Sequence, residues 1–272
     1  KEGESETEFV ARIVQSLRDL IEREGGDTIA AMIAEPVMGA GGVIVPPQGY
    51  YAAIKEVLDE HDIFLIDDEV INGFGRTGNW WGCQTLGMTP KTMSAAKQMT
   101  SAYAPLGAVM VPQDIYDAYV DQTSKIGTFG HGFTYGGHPL GCALGVKAIE
   151  IYQKRDILGQ VRSLMPLFEK RMKRLAEHPL VGEARYCGLV GGVELVADKR
   201  TKRSFDPKQG VGAQAAKFLE GHGAILRAIG DTLAFCPPMI IKEAELNELF
   251  DRAEKALDDT EGWVGKEELR AA

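Results

Sequence analysis

Residues 64–78 read FLIDDEVINGFGRTG, and the fold turns on how this stretch is understood. A hydrophobic run ending in Asp67-Asp68-Glu69 suits the metal-holding strand of a nucleotide triphosphatase. Gly73-Phe74-Gly75-Arg76-Thr77-Gly78 spells the G-x-G-x-x-G of a dinucleotide fold. An aspartate at the mouth of a buried strand also suits the ring nitrogen of pyridoxal phosphate.

The first reading lacks its partner, because the chain contains no G-x-x-x-x-G-K-[ST] loop to cradle phosphates. The second lacks its context. Its glycines should open a helix whose N-terminus takes a pyrophosphate, whereas NWWGC (79–83) follows here.

Composition narrows the field. The chain has 272 residues, 44% of them hydrophobic and 25% charged, ordinary values for a globular protein. A formal charge of −9 opposes a nucleic-acid partner, which calls for clustered cations. The short basic clusters at 170–174 and 199–203 read as solvated faces. No apolar run reaches the roughly 20 residues that span a bilayer. Cys83, Cys142, Cys187 and Cys236 show no C-x-x-C spacing, so they are expected as reduced thiols in a cytoplasmic protein.

Outward from the decisive stretch, strands and helices alternate. Ser5-Glu6-Thr7-Glu8 is a capping box, opening a helix that Gly25-Gly26 stops. Residues 29–34 read as a buried strand and 48–61 as an amphipathic helix with Tyr51, Ile54, Val57 and Leu58 on one face. Residues 63–66 and 107–111 read as strands, 113–120 as a helix. Pro139 opens a helix to about Arg155. This order predicts an α/β fold, with a parallel sheet covered on both faces. After residue 158 the pattern changes. A helix over 157–177 contains Pro166, the glycine-punctuated strands GLVGGVELV and AILRAIGDTLAFC follow, and a last helix runs from Lys242 to about Leu257. The expected domains are 1–158 and a smaller α/β domain at 159–272.

The third reading gains support downstream. Lys97 follows Asp68 by 29 residues, among the small residues Ala95, Ala96 and Ser101. Lysine is the side chain that forms an imine with an aldehyde. Its bland counterpart is a surface lysine with a snorkelling stem. On an alternating strand end, Asp67 and Glu69 point away from the side of Asp68 and suit structural hydrogen bonding. His131, His138 and Cys142 lack a fourth ligand for a closed metal shell, so no metal is expected.

Five motifs in order, AEPVMGAGGVIVPP (34–47), LIDDEVINGFGRTG (65–78), AAKQMTSAYAPLGAV (95–109), HGFTYGGHPLGCA (131–143) and LRAIGDTLAFCPPMII (226–241), resemble the class III (ω-) aminotransferases. The likeness covers nearly the whole chain and is nearest to the branch acting on pyruvate with amines or ω-amino acids. It implies the aspartate-aminotransferase fold (fold type I) with pyridoxal phosphate as cofactor. Residues 1–158 would then be part of the cofactor-binding large domain. Lys97 would link the cofactor and carry a proton, and Asp68 would face the ring nitrogen. Two unit charges ~4 Å apart at an effective dielectric of ~20 interact by about 4 kcal/mol, enough to hold that nitrogen protonated.

The resemblance further places Val70 under the ring and Phe133 and Thr134 at the phosphate of a partner in a homodimer, with Glu35 either beside the cofactor or the resting partner of Arg227. It makes Arg227 the movable partner of a substrate carboxylate. It also sets the family's Gly-Ser phosphate cup upstream of residue 1, so the chain reads as the C-terminal portion of a longer enzyme. Small-molecule amines and keto acids are the implied partners, without nucleic acid or membrane. A mutase, decarboxylase or racemase would share the same machinery. An inactive interaction module is the non-enzymatic alternative.

Overall fold

The structure is a computed structural model that describes residues 3–270. It divides into two compact units, Lys1–Pro36 with Pro46–Phe74 and Asn79–Asp156, and Val37–Val45 with Gly75–Gly78 and Ile157–Ala272. The division falls two residues before the sequence boundary at 158, and two loops of the first half belong with the second unit.

In the first unit, helix α1 (Glu6–Glu24) starts on the Ser5–Glu8 capping box and ends at Gly25, whose φ is 85°. Strand β1 (Ala31–Ala34), helix α2 (Tyr50–Glu60) and strand β2 (Phe64–Asp68) follow. A five-residue helix α3 (Gly82–Leu86), strand β3 (Thr92–Ala95) and strand β4 (Ala108–Met110) complete the sheet. Helices α4 (Gln113–Ile126) and α5 (Pro139–Lys154) close the unit. The sheet order is β1-β2-β3-β4, parallel through β3, with β4 antiparallel at the edge.

The core of this unit packs Ile21 of α1 and Tyr51, Ile54, Val57 and Leu58 of α2 against Leu65, with Met32 and Met93 beside them. Pairing sets Met32 opposite Leu65 and Asp67 opposite Met93, so these residues share the helix-covered face. Ile33 and Val109 sit on the other face, 61% and 67% exposed, which leaves it open at both edge strands. The sequence expectation of two covered faces therefore holds for one face within this unit. Strand β3 went unpredicted because Thr92-Met93-Ser94-Ala95 lacks a β-branched, alternating pattern. Its pairing with both neighbours decides its conformation instead.

In the second unit, α6 (Ile157–Leu175) contains Pro166. Strands β5 (Val181–Cys187) and β6 (Val190–Leu195) pair antiparallel, and helix α7 (Val211–Gly221) follows. Strands β7 (Arg227–Ile229) and β8 (Thr232–Phe235) form a hairpin, and α8 (Glu243–Lys266) ends the unit. The sheet order is β5-β6-β8-β7. Phe168 and Phe235 meet Phe250 at ring centroid distances of 5.4 and 5.1 Å, and all three are fully buried. Helix α8 runs beyond Leu257 because Thr260 and Val264 extend its buried stripe.

Candidate active site

Three sequence-predicted residues follow the carboxyl ends of three adjacent parallel strands. Glu35 follows β1, Asp68 ends β2, and Lys97 comes two residues after Ala95 of β3. In open α/β sheets this edge is where ligands bind. Asp68 pairs with Ser94 across the ladder, on the open face of the sheet. Its Oδ1 accepts from the Val70 N–H at 3.0 Å and from the Ser94 hydroxyl at 3.3 Å. Among the described residues, Oδ2 takes no hydrogen bond, which leaves a half-buried carboxylate oxygen for a further donor.

Lys97 opens a short 3-10 turn, Lys97–Met99, with its backbone in the left-handed region at φ 43°. A lysine there is strained by about 1–3 kcal/mol, a cost that surrounding contacts must offset. Those contacts come from α5. The buried Tyr152 hydroxyl donates to the Gln98 carbonyl at 2.7 Å and meets the Ser101 hydroxyl. Among the described residues, Lys97 Nζ has neither a hydrogen-bond nor an ion-pair partner. Its side chain is exposed, so the amine stands ready rather than tied to a carboxylate.

The flanking acids behave differently from each other. Glu69 is fully buried, and its two oxygens accept the Gly82 and Cys83 amides at 2.9 and 2.8 Å. This caps α3 and occupies the helix end that a pyrophosphate would need. Asp67 is also fully buried, yet no N–H or O–H reaches either oxygen, and the Cys83 thiol is its nearest donor. The sequence expectation of structural hydrogen bonding fits Glu69 directly, whereas Asp67 enters the helix-covered face with only Glu69 and Cys83 as polar neighbours. Burial, then the neighbouring Glu69, push the Asp67 carboxyl up to about 8.

The glycine-rich loop over 37–45 lies in the second unit, closed by a bridge between Met38 and Ile44. Arg185 holds it, donating to the Gly42 and Val43 carbonyls at 2.8 and 3.2 Å. Arg76, also buried, donates to the Leu189 and Pro237 carbonyls at 3.1 and 2.6 Å. The decisive motif therefore ends in a structural pin at Arg76, while Asp68 keeps an unengaged carboxylate oxygen.

A sequence model of the family Aminotransferase class-III matches residues 1–257. The chain belongs to the class-III aminotransferases. Gamma aminobutyrate transaminase 3, chloroplastic, of Solanum lycopersicum is 44% identical over 269 residues, covering 99% of this chain and 51% of the relative. The crystal structure of an omega-transferase from Vibrio fluvialis JS17 superposes with a TM-score of 0.92 at 44% identity, over 97% of this chain and 62% of that one. A structure described as a transaminase with L-ala gives a TM-score of 0.94 at 44% identity, over 97% and 62%. The chain spans about half the length of the curated relatives it matches. These likenesses establish the aspartate-aminotransferase-like fold, and the class-III enzymes depend on pyridoxal phosphate.

Within this class-III aminotransferase, Phe133, Thr134 and Arg227 belong to other segments of the chain. Phe133 and Thr134 sit in the exposed loop between α4 and α5, Phe133 at 82% exposure. Helix α4 buries no residue and shows Tyr116, Tyr119 and Val120 to solvent. Arg227 belongs to the second unit, exposed at the start of the edge strand β7. Glu35 is half-buried, and its backbone carbonyl accepts the Tyr51 hydroxyl. Among the described residues, His131, His138 and Cys142 do not converge, whereas oxygen atoms of Asp67 and Glu69 and the Cys83 sulfur lie within 4.8 Å of one another. Ser94 and Tyr152 escaped the sequence reading. Neither residue type marks a role, and only strand register and the α5 contact bring them to Asp68 and to the turn after Lys97.

Proposed function

We propose that this chain serves pyridoxal phosphate-dependent transamination between an amine or ω-amino acid and a keto acid such as pyruvate. The observation that carries it is the pairing of an unengaged lysine amine with an unengaged aspartate oxygen at the same edge of one parallel sheet. Both groups are polar, partnerless among the described residues, and matched to the aldehyde and the ring nitrogen of that cofactor. When bound, pyridoxal phosphate supplies an aldehyde for imine linkage and a ring that accepts the electron pair released at the substrate carbon.

The chain's own residues supply the rest. Lys97 Nζ would hold the cofactor through its aldehyde and, when free, would take up the proton leaving the substrate carbon on its own nitrogen and hand it back. Asp68 Oδ2 would accept from the ring nitrogen and keep its proton in place, while Ser94 and the Val70 amide fix its other oxygen. Val70 packs against the ring and Glu35 borders the site. Arg227 pairs with a substrate carboxylate through its planar fork.

A homodimer belongs to this reading. Tyr116, Tyr119, Val120, Ile126, Phe129 and Phe133 are exposed, with the Tyr119 and Phe129 rings edge-on at 5.9 Å, and a partner subunit would cover such side chains; Phe133 and Thr134 would then reach the partner's phosphate group. The transaminase solved with L-ala supports pyruvate as acceptor. Four unpaired cysteines support a reducing compartment such as the cytoplasm. No helix among the described residues is long and apolar enough to cross a membrane.

The test is to load the full-length enzyme with pyridoxal phosphate and supply an amine donor with pyruvate. Alanine formation, and borohydride trapping of the cofactor on Lys97, are expected. Trapping without alanine would favour a mutase, decarboxylase or racemase, and absence of both would leave an interaction module.

A further inference from the structure

Asp67 poses a problem that the transaminase reading leaves untouched. Its carboxyl is fully buried at the end of a central strand, opposite Met93 on the helix-covered face. No N–H or O–H reaches either oxygen. A buried charged carboxylate without donors is among the least tolerable arrangements in a protein. Its polar neighbours are another acid and a thiol, since oxygen atoms of Asp67 and Glu69 and the Cys83 sulfur lie within 4.8 Å of one another. Glu69 is satisfied by two backbone amides, and each of its oxygens keeps a lone pair for a further donor.

We propose that Asp67 stays un-ionised and donates its proton to Glu69, forming a buried acid pair that positions Asp68 between them. The pair grips both neighbours of Asp68 from the core side. Glu69 simultaneously anchors α3, so the strand end, the acid pair and the helix form one unit. The remaining groups facing it fit a neutral acid. From α3, Cys83 is pushed to a higher pKa by burial and by the two acids. From α2, Tyr51 is pushed upward by burial, then by charge on Tyr50, Asp67, Glu35 and Glu69. The Tyr51 hydroxyl is committed to the Glu35 and Pro36 carbonyls, so it offers Asp67 no hydrogen. Asp68 lies on the opposite face of the strand. No cation faces the pair among these groups.

The sign of the pH effect follows. A carboxyl raised in the folded state takes up a proton on folding. Its stabilising contribution is complete below the ordinary carboxylate range and is lost as pH rises to about 8. One linked proton weakens the folding equilibrium up to tenfold per pH unit across that window.

The positioning part of this inference rests on the transaminase reading, whereas the shared proton does not. The test is therefore read in two ways on the full-length enzyme. In chemical unfolding between pH ~5 and ~9, the wild type should lose stability with rising pH, and Asp67→Asn should lose markedly less. Infrared spectroscopy of the wild type should show an un-ionised carboxyl stretch at neutral pH that fades in alkali, a measurement needing no variant to fold. In turnover, the wild type should show an alkaline fall in kcat with little change in KM, and Asp67→Asn should move or remove that limb. Parallel unfolding curves and no un-ionised carboxyl band would overturn the shared proton. Stoichiometric divalent metal that is lost in Asp67→Asn would also overturn it, in favour of a metal site. An unmoved alkaline limb beside a confirmed shared proton would overturn the positioning role alone. Asp68→Asn serves as the control, since it should abolish turnover while leaving the unfolding slope in place.

Discussion

The Ser94 hydroxyl donates to Asp68 Oδ1 across a ladder that pairs the two residues directly, β3 against β2. The Val70 amide donates to the same oxygen. Two donors on one oxygen fix the carboxylate's rotation and aim the other oxygen outward from the open sheet face. The strand register, rather than any motif, creates this arrangement.

Removing Ser94 tests it. A hydrogen bond to a charged group contributes about 1.5–3 kcal/mol, but the Val70 amide remains. Ser94→Ala should lower kcat by roughly tenfold, equivalent to about 1.4 kcal/mol, with a smaller change in cofactor affinity. Asp68→Asn should cost far more, because the charge opposite the ring nitrogen is lost. Steady-state kinetics of both variants, with cofactor dissociation constants alongside, decide the matter. Equal effects of the two variants on cofactor affinity alone would assign Asp68 to binding instead.

Lys97 joins the proposed imine role to a strained backbone. Lys97→Ala should abolish turnover and borohydride trapping. Lys97→Gly should be equally inactive yet about 1 kcal/mol more stable than the alanine variant, because glycine adopts φ 43° without its penalty. Thermal unfolding of the two inactive proteins checks this. Residual transamination near the wild-type rate in either variant would remove Lys97 from the mechanism.

Arg171 governs stability in the second unit. Its buried guanidinium joins α6 to α8, meeting Asp251 at 2.5 Å, Glu254 at 3.0 Å and the Asn247 side chain at 3.1 Å, above the Phe250 ring. Asp251 is largely exposed and can be rehydrated, which limits the loss. Arg171→Ala should therefore destabilise by about 2 kcal/mol, measured by denaturant unfolding, and should leave the residues around Lys97 chemically intact.

The parts of this fold that carry periodic signals were legible in the chain alone. The α1 capping box, the α2 face of Tyr51, Ile54, Val57 and Leu58, and Pro139 at the start of α5 each encode themselves locally. Strand β3 did not, since Thr92 to Ala95 is a strand only because β2 and β4 pair with it. Ser94 and Tyr152 were invisible for the same reason. The glycines at 73–78 suggested a phosphate loop, but the structure spends the adjacent α3 amides on Glu69. Asp67 looked like an ordinary hydrogen-bonded acid because sequence does not show which donors a buried face contains.

Arg227 tests what the enzyme accepts. Ala228, Ile229 and Gly230 follow Arg227, and a small residue and a glycine there would let an unpaired segment flex. The structure instead pairs Arg227 with Ala234 in the β7–β8 hairpin, and Gly230 takes φ 56° to make its turn. The backbone is therefore fixed, and any movement of the guanidinium must come from side-chain rotation, for which its exposed position leaves room. A fixed cation would be left unpaired beside an amine lacking a carboxylate, costing several kcal/mol if buried. A rotating one avoids that. Arg227→Ala should then slow the half-reaction with pyruvate or alanine by about tenfold to a hundredfold, the worth of a charge-assisted pair at 1.5–3 kcal/mol, and spare the half-reaction with a simple amine. Single-turnover kinetics of each half-reaction in the full-length enzyme measure this directly. Equal losses on both sides would reduce Arg227 to a support of the β7 edge and send the search for a carboxylate partner to another arginine.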